Sequence, residues 1–397
     1  MNIGFDLSQA GNEGTGISEY FREMVRAAVR HDRESTFSLI NTKWRPVTNH
    51  GIAGKNVNTV FLHPRSFTGR FRRRVLKRDD HTRFRKHLRK LDLLHWNATT
   101  EDDGPFLEEL PWVKKVATVY DATTLLFPEL HTECTIRIWD KHFDDIVKYD
   151  SWWTTISQSA FDDLVRLRGL DPARGLIVYP CNRFEGKTEE PVTTDLRKRL
   201  GIEQSPYVLS VGTLEPRKNY ERLIAAFSQI LDRDRGLRDW KLVIAGRTGW
   251  RCDGIVRAAQ ESPDTILAGC VTMSELAELY RHAEVFAYPS LYEGFGLPVI
   301  EAMGFGTPVL TSNTSSLPEA AGDAGVLVNP LDQEELRDQL AVLMSDAGQR
   351  EKRRALGLKH SQRFSRERMG EQVMEFFRRI AGTKNRSAVV SCSSAHC

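Results

Sequence analysis

Four side chains of this sequence are best suited to chemistry. Two are glutamates eight positions apart, Glu293 and Glu301, in Tyr292-Glu-Gly-Phe-Gly-Leu-Pro-Val-Ile-Glu301. The other two are adjacent cations, Arg217 and Lys218. Ionised carboxylates only accept hydrogen bonds, so the glutamates suit a ligand rich in hydroxyls. Arginine forks two oxygens and lysine supplies a point charge, a combination fitted to a diphosphate. Each pair has a plainer reading. A glutamate early in a helix complements the helix dipole, and neighbouring Arg and Lys are commonly solvated surface charges.

Position favours the chemical reading. Glu284-Val-Phe-Ala-Tyr288 is a short apolar run that reads as a buried strand of a parallel sheet, ended by Pro289 and Ser290. Gly294 and Gly296 free the backbone of the next loop, and Pro298 fits the first turn of a helix. Glu293 is thus expected in a loop at the carboxyl end of a strand and Glu301 in the opening turn of the following helix. Open α/β sheets bind ligands at that edge, where glycine amides also serve an anion. Arg217 and Lys218 follow a second such strand, Tyr207–Val211 with Gly212, and precede a helix expected to be capped by Asn219.

Other loops share the layout. Gly14 and Gly16 lie between the first strand and a helix beginning near Ile17, where free amides could meet a phosphate. Glu19 takes the third glycine position of a dinucleotide fingerprint, so that motif fails, and an ordinary βα turn remains an equal reading. Gly246, Gly269 to Val271, and Thr311 to Ser316 close further strands with small or polar residues.

Strand-like and helix-like segments alternate along all 397 residues, which predicts an α/β protein with two doubly wound parallel sheets. The polar stretch Asn182 to Thr194 reads as the junction. The expected domains are 1–183 and 184–382, with the last helix free to pack back on the first, and a disordered tail over 383–397. The composition is that of an ordinary globular protein, 40% apolar and 27% charged with a net charge of +3. Cys134, Cys181, Cys252, Cys270, Cys392 and Cys397 form no C-x-x-C pair, which speaks against a zinc site or disulfide framework and fits a reducing compartment. No segment has the roughly 20 apolar residues needed to span a bilayer. The chain opens on what reads as a strand rather than a signal peptide, so a cytoplasmic location is expected, soluble or peripheral at the inner membrane face. Arg70 to Lys90 holds 11 basic residues, with Phe67, Phe71, Val75, Phe84 and Leu88 at helical spacing around it. Such a stripe rests on anionic lipid or packs on its own domain.

Several stretches together resemble glycosyltransferase family 4. They are Val211-Gly-Thr-Leu-Glu-Pro-Arg-Lys-Asn219, Tyr288 to Ala302, Gly306-Thr-Pro-Val-Leu-Thr-Ser312 and Ser316 to Ala324. The likeness covers most of the second domain and is looser in the first, through Gly14-Thr-Gly16 and Val119-Tyr-Asp121. It implies the GT-B fold, two Rossmann-like domains facing across a cleft, and a retaining enzyme using a nucleotide-sugar donor. By the same resemblance Arg217 and Lys218 hold the diphosphate, Glu301 takes the ribose hydroxyls and Glu293 contacts the transferred sugar. Amides around Phe295, Gly296 and Leu297 complete that site, Gly269 to Val271 flank the base, Gly212 and Gly246 border the donor, and Gly14 and Gly16 approach its phosphates. Mannosyltransferases of bacterial polysaccharide assembly are the group most resembled, so GDP-mannose is the leading donor and a glycan or lipid-linked glycan the expected acceptor.

One departure concerns the first domain. The family often has His-Asp where this chain has Tyr120-Asp121. Tyrosine, with an ordinary pKa near 10, is a poor base at neutral pH. Asp121 stays a candidate contact to sugar or acceptor, beside its simpler reading as a strand-end loop cap. No metal or other cofactor is expected. An inverting GT-B enzyme or a sugar-nucleotide epimerase is the enzymatic alternative. A nucleic-acid-binding protein using the basic stretch is the non-enzymatic one, though no nucleic-acid motif accompanies it and no nucleic-acid partner is expected.

Overall fold

The structure is a computed structural model and describes residues 1–7, 16–41, 51–61, 88–97, 107, 110–186 and 195–383. Gly14, the basic stretch up to residue 87 and the expected tail beyond 383 lie outside the described residues. The chain divides into two compact units. One comprises Met1–Ile156, Ala160–Pro180 and Arg366–Cys397, the other Ser157–Ser159 and Cys181–Ser365.

In the first unit, β1 (Asn2–Asp6), β2 (Thr36–Asn41), β3 (Val57–Phe61), β4 (Leu93–Trp96), β5 (Lys114–Thr118), β6 (Trp152–Thr155) and β7 (Gly175–Ile177) form one sheet ordered β3-β2-β1-β4-β5-β6-β7. Every pairing in it is parallel. Its central strands are buried without alternation, as strands covered on both faces must be. The helix Gly16–His31 buries Tyr20, Phe21, Met24, Val25 and Ala28 at helical spacing. The C-terminal helix Arg366–Gly382 answers with Met369, Val373, Phe376, Phe377 and Ile380. The two helices touch where Gly370 faces the backbone of Ala27: a Cβ at Gly370 would stand 2.6 Å from the Ala27 carbonyl oxygen. Arg366 donates to buried Glu23 at 2.6 Å. Burial favours the neutral Glu23 acid, but Arg366 and Arg26 outweigh it and hold the pKa below the usual carboxylate range. At the other end of the helix, Lys114 donates to the carbonyls of Ile380 at 2.7 Å and Ala381 at 2.9 Å, satisfying orphan acceptors.

The second unit holds β8 (Tyr207–Val211), β9 (Lys241–Ala245), β10 (Thr265–Gly269), β11 (Val285–Tyr288), β12 (Val309–Ser312) and β13 (Val326–Val328), ordered β10-β9-β8-β11-β12-β13. These pairings too are parallel. Counted within the unit this is the doubly wound order 3-2-1-4-5-6, so the winding reverses between β8 and β11. The helix Tyr220–Arg233 packs Leu223, Ile224, Phe227 and Ile230 against Val208, Leu242, Ile244 and Val285. Each such side chain contributes about 1.5–3 kcal/mol by leaving water.

Three local expectations are corrected. Asn219 stands at the N-terminus of that helix, yet it is left-handed (φ 59°) and its side chain makes no capping bond. Its amide instead donates to the carbonyls of Pro289 at 3.1 Å and Pro330 at 2.8 Å, tying together the loops after β11 and β13. Glu301 lies in the second turn of the helix Leu297–Gly304, not its opening turn, and is fully buried. The expected linker is anchored at its start. Asn182 takes the Phe364 carbonyl at 2.9 Å through its backbone amide and the Ile300 carbonyl at 3.2 Å through its side chain. Phe184 sets its ring against Tyr280 and Phe305. Two anchors in a polar string leave no periodicity to read. Among the described residues no helix is long and apolar enough to cross a membrane.

The helix contact at Gly370 yields a direct test. Gly370→Ala is expected to destabilise the first unit by about 1–3 kcal/mol, because backbone carbonyls at the contact give way poorly. Gly382→Ala, whose Cβ would meet nothing within 4 Å, serves as the control. Thermal unfolding that gives both variants the parent midpoint would contradict the packing described.

Candidate functional site

The loops after β8 and β11 flank the point where the winding of the second sheet reverses, and they carry Arg217, Lys218 and Glu293. The structure brings the three side chains into one cluster, with Lys218 and Glu293 buried and Arg217 partly exposed. Lys218 Nζ donates to Glu293 Oε1 at 2.6 Å and to the Tyr288 hydroxyl at 2.5 Å, 4.8 Å from the Tyr288 ring centroid. Arg217 Nη1 lies 2.8 Å from Glu293 Oε2 and donates to the Tyr292 carbonyl at 2.6 Å. Arg217 Nη2 pairs with Glu215. Two carboxylates and two cations therefore sum to no formal charge.

The fields inside the cluster follow from its burial. Desolvation alone would raise the Glu293 pKa, yet the charges of Arg217 and Lys218 outweigh it and bring it down to about 2. Burial works against the Arg217 cation, but Glu293 and Glu215 more than offset it and the guanidinium is held charged. Lys218 is drawn below its ordinary value by burial, opposed by Glu293.

Backbone contacts hold the loops at this edge. The Leu291 amide donates to the Arg217 carbonyl at 2.9 Å, linking the two loops directly. The Glu293 amide donates to Ser315 Oγ at 3.0 Å, and Ser316 Oγ to the Glu293 carbonyl at 2.8 Å. Gly212 donates to the Ala245 carbonyl and Gly246 to the Gly269 carbonyl, each at 2.9 Å, so the ends of β8, β9 and β10 form one ledge. Gly246 has no alternative there, since a Cβ would sit 1.9 Å from the Gly212 carbonyl oxygen. Gly269 is left-handed (φ 68°) and leads into exposed Cys270 and half-buried Val271. Phe295 turns its ring into the core against Phe364, and left-handed Gly296 (φ 100°) opens the helix Leu297–Gly304. Of the amides at that opening only Leu297 lacks an intrahelical acceptor, since Pro298 has no N–H and Val299 donates to the Gly296 carbonyl at 2.9 Å.

Glu301 does not join the cluster. Its carboxylate is bound by Arg183 through Nε and, at 2.9 Å, Nη2, and by the Tyr280 hydroxyl at 3.1 Å. In the first unit, Asp121 Oδ1 accepts from the Thr123 amide at 2.9 Å and the Thr123 hydroxyl at 2.6 Å, the geometry of a loop cap. Buried Tyr120 accepts from Asn97 at 2.8 Å, and burial pushes its phenol well above its ordinary range, so the proton stays on. Gly16 is exposed, and among the described residues no atom outside its own turn lies within 4 Å of where its Cβ would be. Glu215, Tyr288, Tyr280 and Arg183 were not anticipated. Glu215, only two residues before Arg217, offered a signal through spacing; Arg183 offered none, because its contact spans 118 positions.

The pattern described as Glycosyl transferases group 1 matches residues 192–363. The O-antigen chain mannosyltransferase B of Escherichia coli is 31% identical over 280 residues, which cover 67% of this chain and 70% of that protein. The serotype-specific mannosyltransferase WbdA of Escherichia coli is 34% identical over 179 residues, 44% of this chain but only 22% of that longer protein. Among solved structures, WaaG, a glycosyltransferase involved in lipopolysaccharide biosynthesis, superposes with a TM-score of 0.65 at 18% identity, covering 96% of this chain and all of that one. A glycosyltransferase from Rickettsia africae gives 0.69 at 14% identity, covering 96% of this chain and 99% of that one. The two Rossmann-like units are those of the GT-B fold. With the O-antigen relative matched over more than two thirds of its length, the chain belongs to the group 1 glycosyltransferases.

Proposed function

We propose that this glycosyltransferase moves a hexose, mannose first among the choices, from a nucleoside diphosphate sugar to a glycan or lipid-linked glycan acceptor with retention of anomeric configuration. The observation that carries the reading is the ion-paired Arg217–Lys218–Glu293 cluster at the reversal point of the second sheet. A relative named as an O-antigen chain mannosyltransferase and another named as a serotype-specific mannosyltransferase favour mannose and surface polysaccharide assembly. GDP-mannose is accordingly the donor proposed, and the inner face of the cell membrane the place of work.

The cluster has the parts that departure of a diphosphate requires. As the bond between the anomeric carbon and the diphosphate oxygen breaks, negative charge grows on that oxygen, and Arg217 and Lys218 stabilise it from fixed positions. The acceptor hydroxyl forms the new carbon–oxygen bond on the same face, and its proton passes to a phosphate oxygen. No protein base is needed, which fits a Tyr120 that keeps its proton and an Asp121 engaged by Thr123. Orientation and charge do the work, with the two cations in the role a metal ion fills elsewhere. Glu293 then has two tasks. It is the counter-ion that keeps both cations charged and aimed before the donor arrives, and it accepts hydroxyls of the transferred sugar. The amides at Phe295, Gly296 and Leu297 receive sugar and phosphate oxygens, and Gly269 to Val271 flank the base.

Three measurements test this. Screened against a panel of nucleotide sugars, the enzyme is expected to turn over GDP-mannose best and to give a product of unchanged anomeric configuration by NMR; an inverted product would overturn the proposed stereochemistry. Lys218→Ala is expected to lower turnover at least tenfold, about 1.4 kcal/mol in the barrier, while the fold survives. A folded Lys218→Ala enzyme with parental turnover would remove the lysine from the mechanism. Glu293→Gln is expected to lose sugar transfer more than binding of bare nucleoside diphosphate, since the contact to the sugar is weakened while Arg217 keeps Glu215 as a counter-ion. Calorimetry showing an equal loss for both would contradict the role given to Glu293.

A further inference from the structure

Resting on the donor-site reading above, Glu301 is the group assigned to the ribose hydroxyls, yet its carboxylate has no exposed surface at all. A carboxylate has about four lone-pair positions. Three are taken, by Arg183 Nε, by Arg183 Nη2 at 2.9 Å and by the Tyr280 hydroxyl at 3.1 Å. A ribose diol bringing two O–H donors finds one position open and no path to it.

The two covering groups differ in exposure. Tyr280 is fully buried, its ring set among Phe184, Phe286 and Phe305, and its carbonyl accepts from the Thr307 hydroxyl at 2.6 Å. Arg183 stands between two anchors, Asn182 and Phe184, but its own side chain is 24% exposed. Its remaining nitrogen, Nη1, lies 4.0 Å from Met273 Sδ. Met273 is itself exposed and opens the helix Met273–His282, two residues past Val271. The guanidinium therefore bridges the ribose carboxylate and the edge of the segment assigned to the base.

We propose that Arg183 occupies the ribose-diol position on Glu301 in the donor-free enzyme, so that a ribonucleoside diphosphate binds by displacing its guanidinium. The planar fork supplies two parallel N–H donors to one carboxylate, as a vicinal diol does. Until donor arrives, the arginine spares the protein a buried unpaired charge. Apparent donor affinity is then the intrinsic affinity scaled by the fraction of molecules in which the fork has let go.

The test compares ribose with its deoxygenated form on the full chain. GDP, UDP and the 2′,3′-dideoxy form of each are titrated calorimetrically into the parent and into Arg183→Lys, which keeps the charge but not the fork. The variant is expected to bind the ribonucleotide about three- to tenfold more tightly, while the dideoxy nucleotide binds both proteins alike. Should Arg183→Lys fail to fold, Arg183→Gln carries the same expectation through a single neutral donor. Unchanged or weaker ribonucleotide binding by a folded variant overturns the displacement. A parent that binds the dideoxy nucleotide as tightly as the ribonucleotide overturns the assignment of Glu301 to ribose, and a parent that binds neither GDP nor UDP overturns the donor-site reading itself.

Discussion

The second unit depends on one constraint: two cations meet a buried carboxylate where a parallel sheet reverses its winding. Lys218 and Arg217 come from the loop after β8 and Glu293 from the loop after β11, and each side offsets the desolvation of the other. Coulombic attraction at this depth holds the carboxylate ionised at almost any pH the cell meets. The same attraction orients the cations, so a leaving diphosphate would meet charges already in place rather than side chains that must first be ordered.

The surrounding backbone serves that cluster. The register of β8 and β11, Val285 opposite Val208 and Phe286 opposite Leu209, brings the two loops to a common edge. The bond from the Leu291 amide to the Arg217 carbonyl fixes their separation, and Ser315 and Ser316 brace the Glu293 backbone from a third loop. Asn219 gives up a capping role for two carbonyls of neighbouring loops, because the turn after Lys218 must be left-handed for the helix Tyr220–Arg233 to start where it does. Local capping is sacrificed to long-range positioning.

How legible all this was in the sequence differs by element. The strands around Val208 and Phe286 were readable, since a strand buried on both faces is apolar throughout and ends in glycine or proline. Arg217, Lys218 and Glu293 were readable as a group because each sits within a few residues of such a strand end. The Asn182–Phe184 anchor has the composition of a linker, since one asparagine and one phenylalanine leave no period. Glu301 was placed one turn too early in its helix, and its burial was not foreseen, because both partners that cover it lie far away in the chain.

Local pattern is enough to specify the alternation that builds two parallel sheets, the strand ends where a ligand edge forms, and the residue types that suit a diphosphate sugar. Those properties are local: they follow from periodicity over a few residues and from the chemistry of single side chains. It takes the folded chain to make Glu293 first of all the counter-ion of Arg217 and Lys218, to share the arginine with Glu215, and to cover Glu301 with Arg183. Which charge a charge meets is settled by the folding of distant loops onto one sheet edge, and spacing along a chain carries no record of that distance.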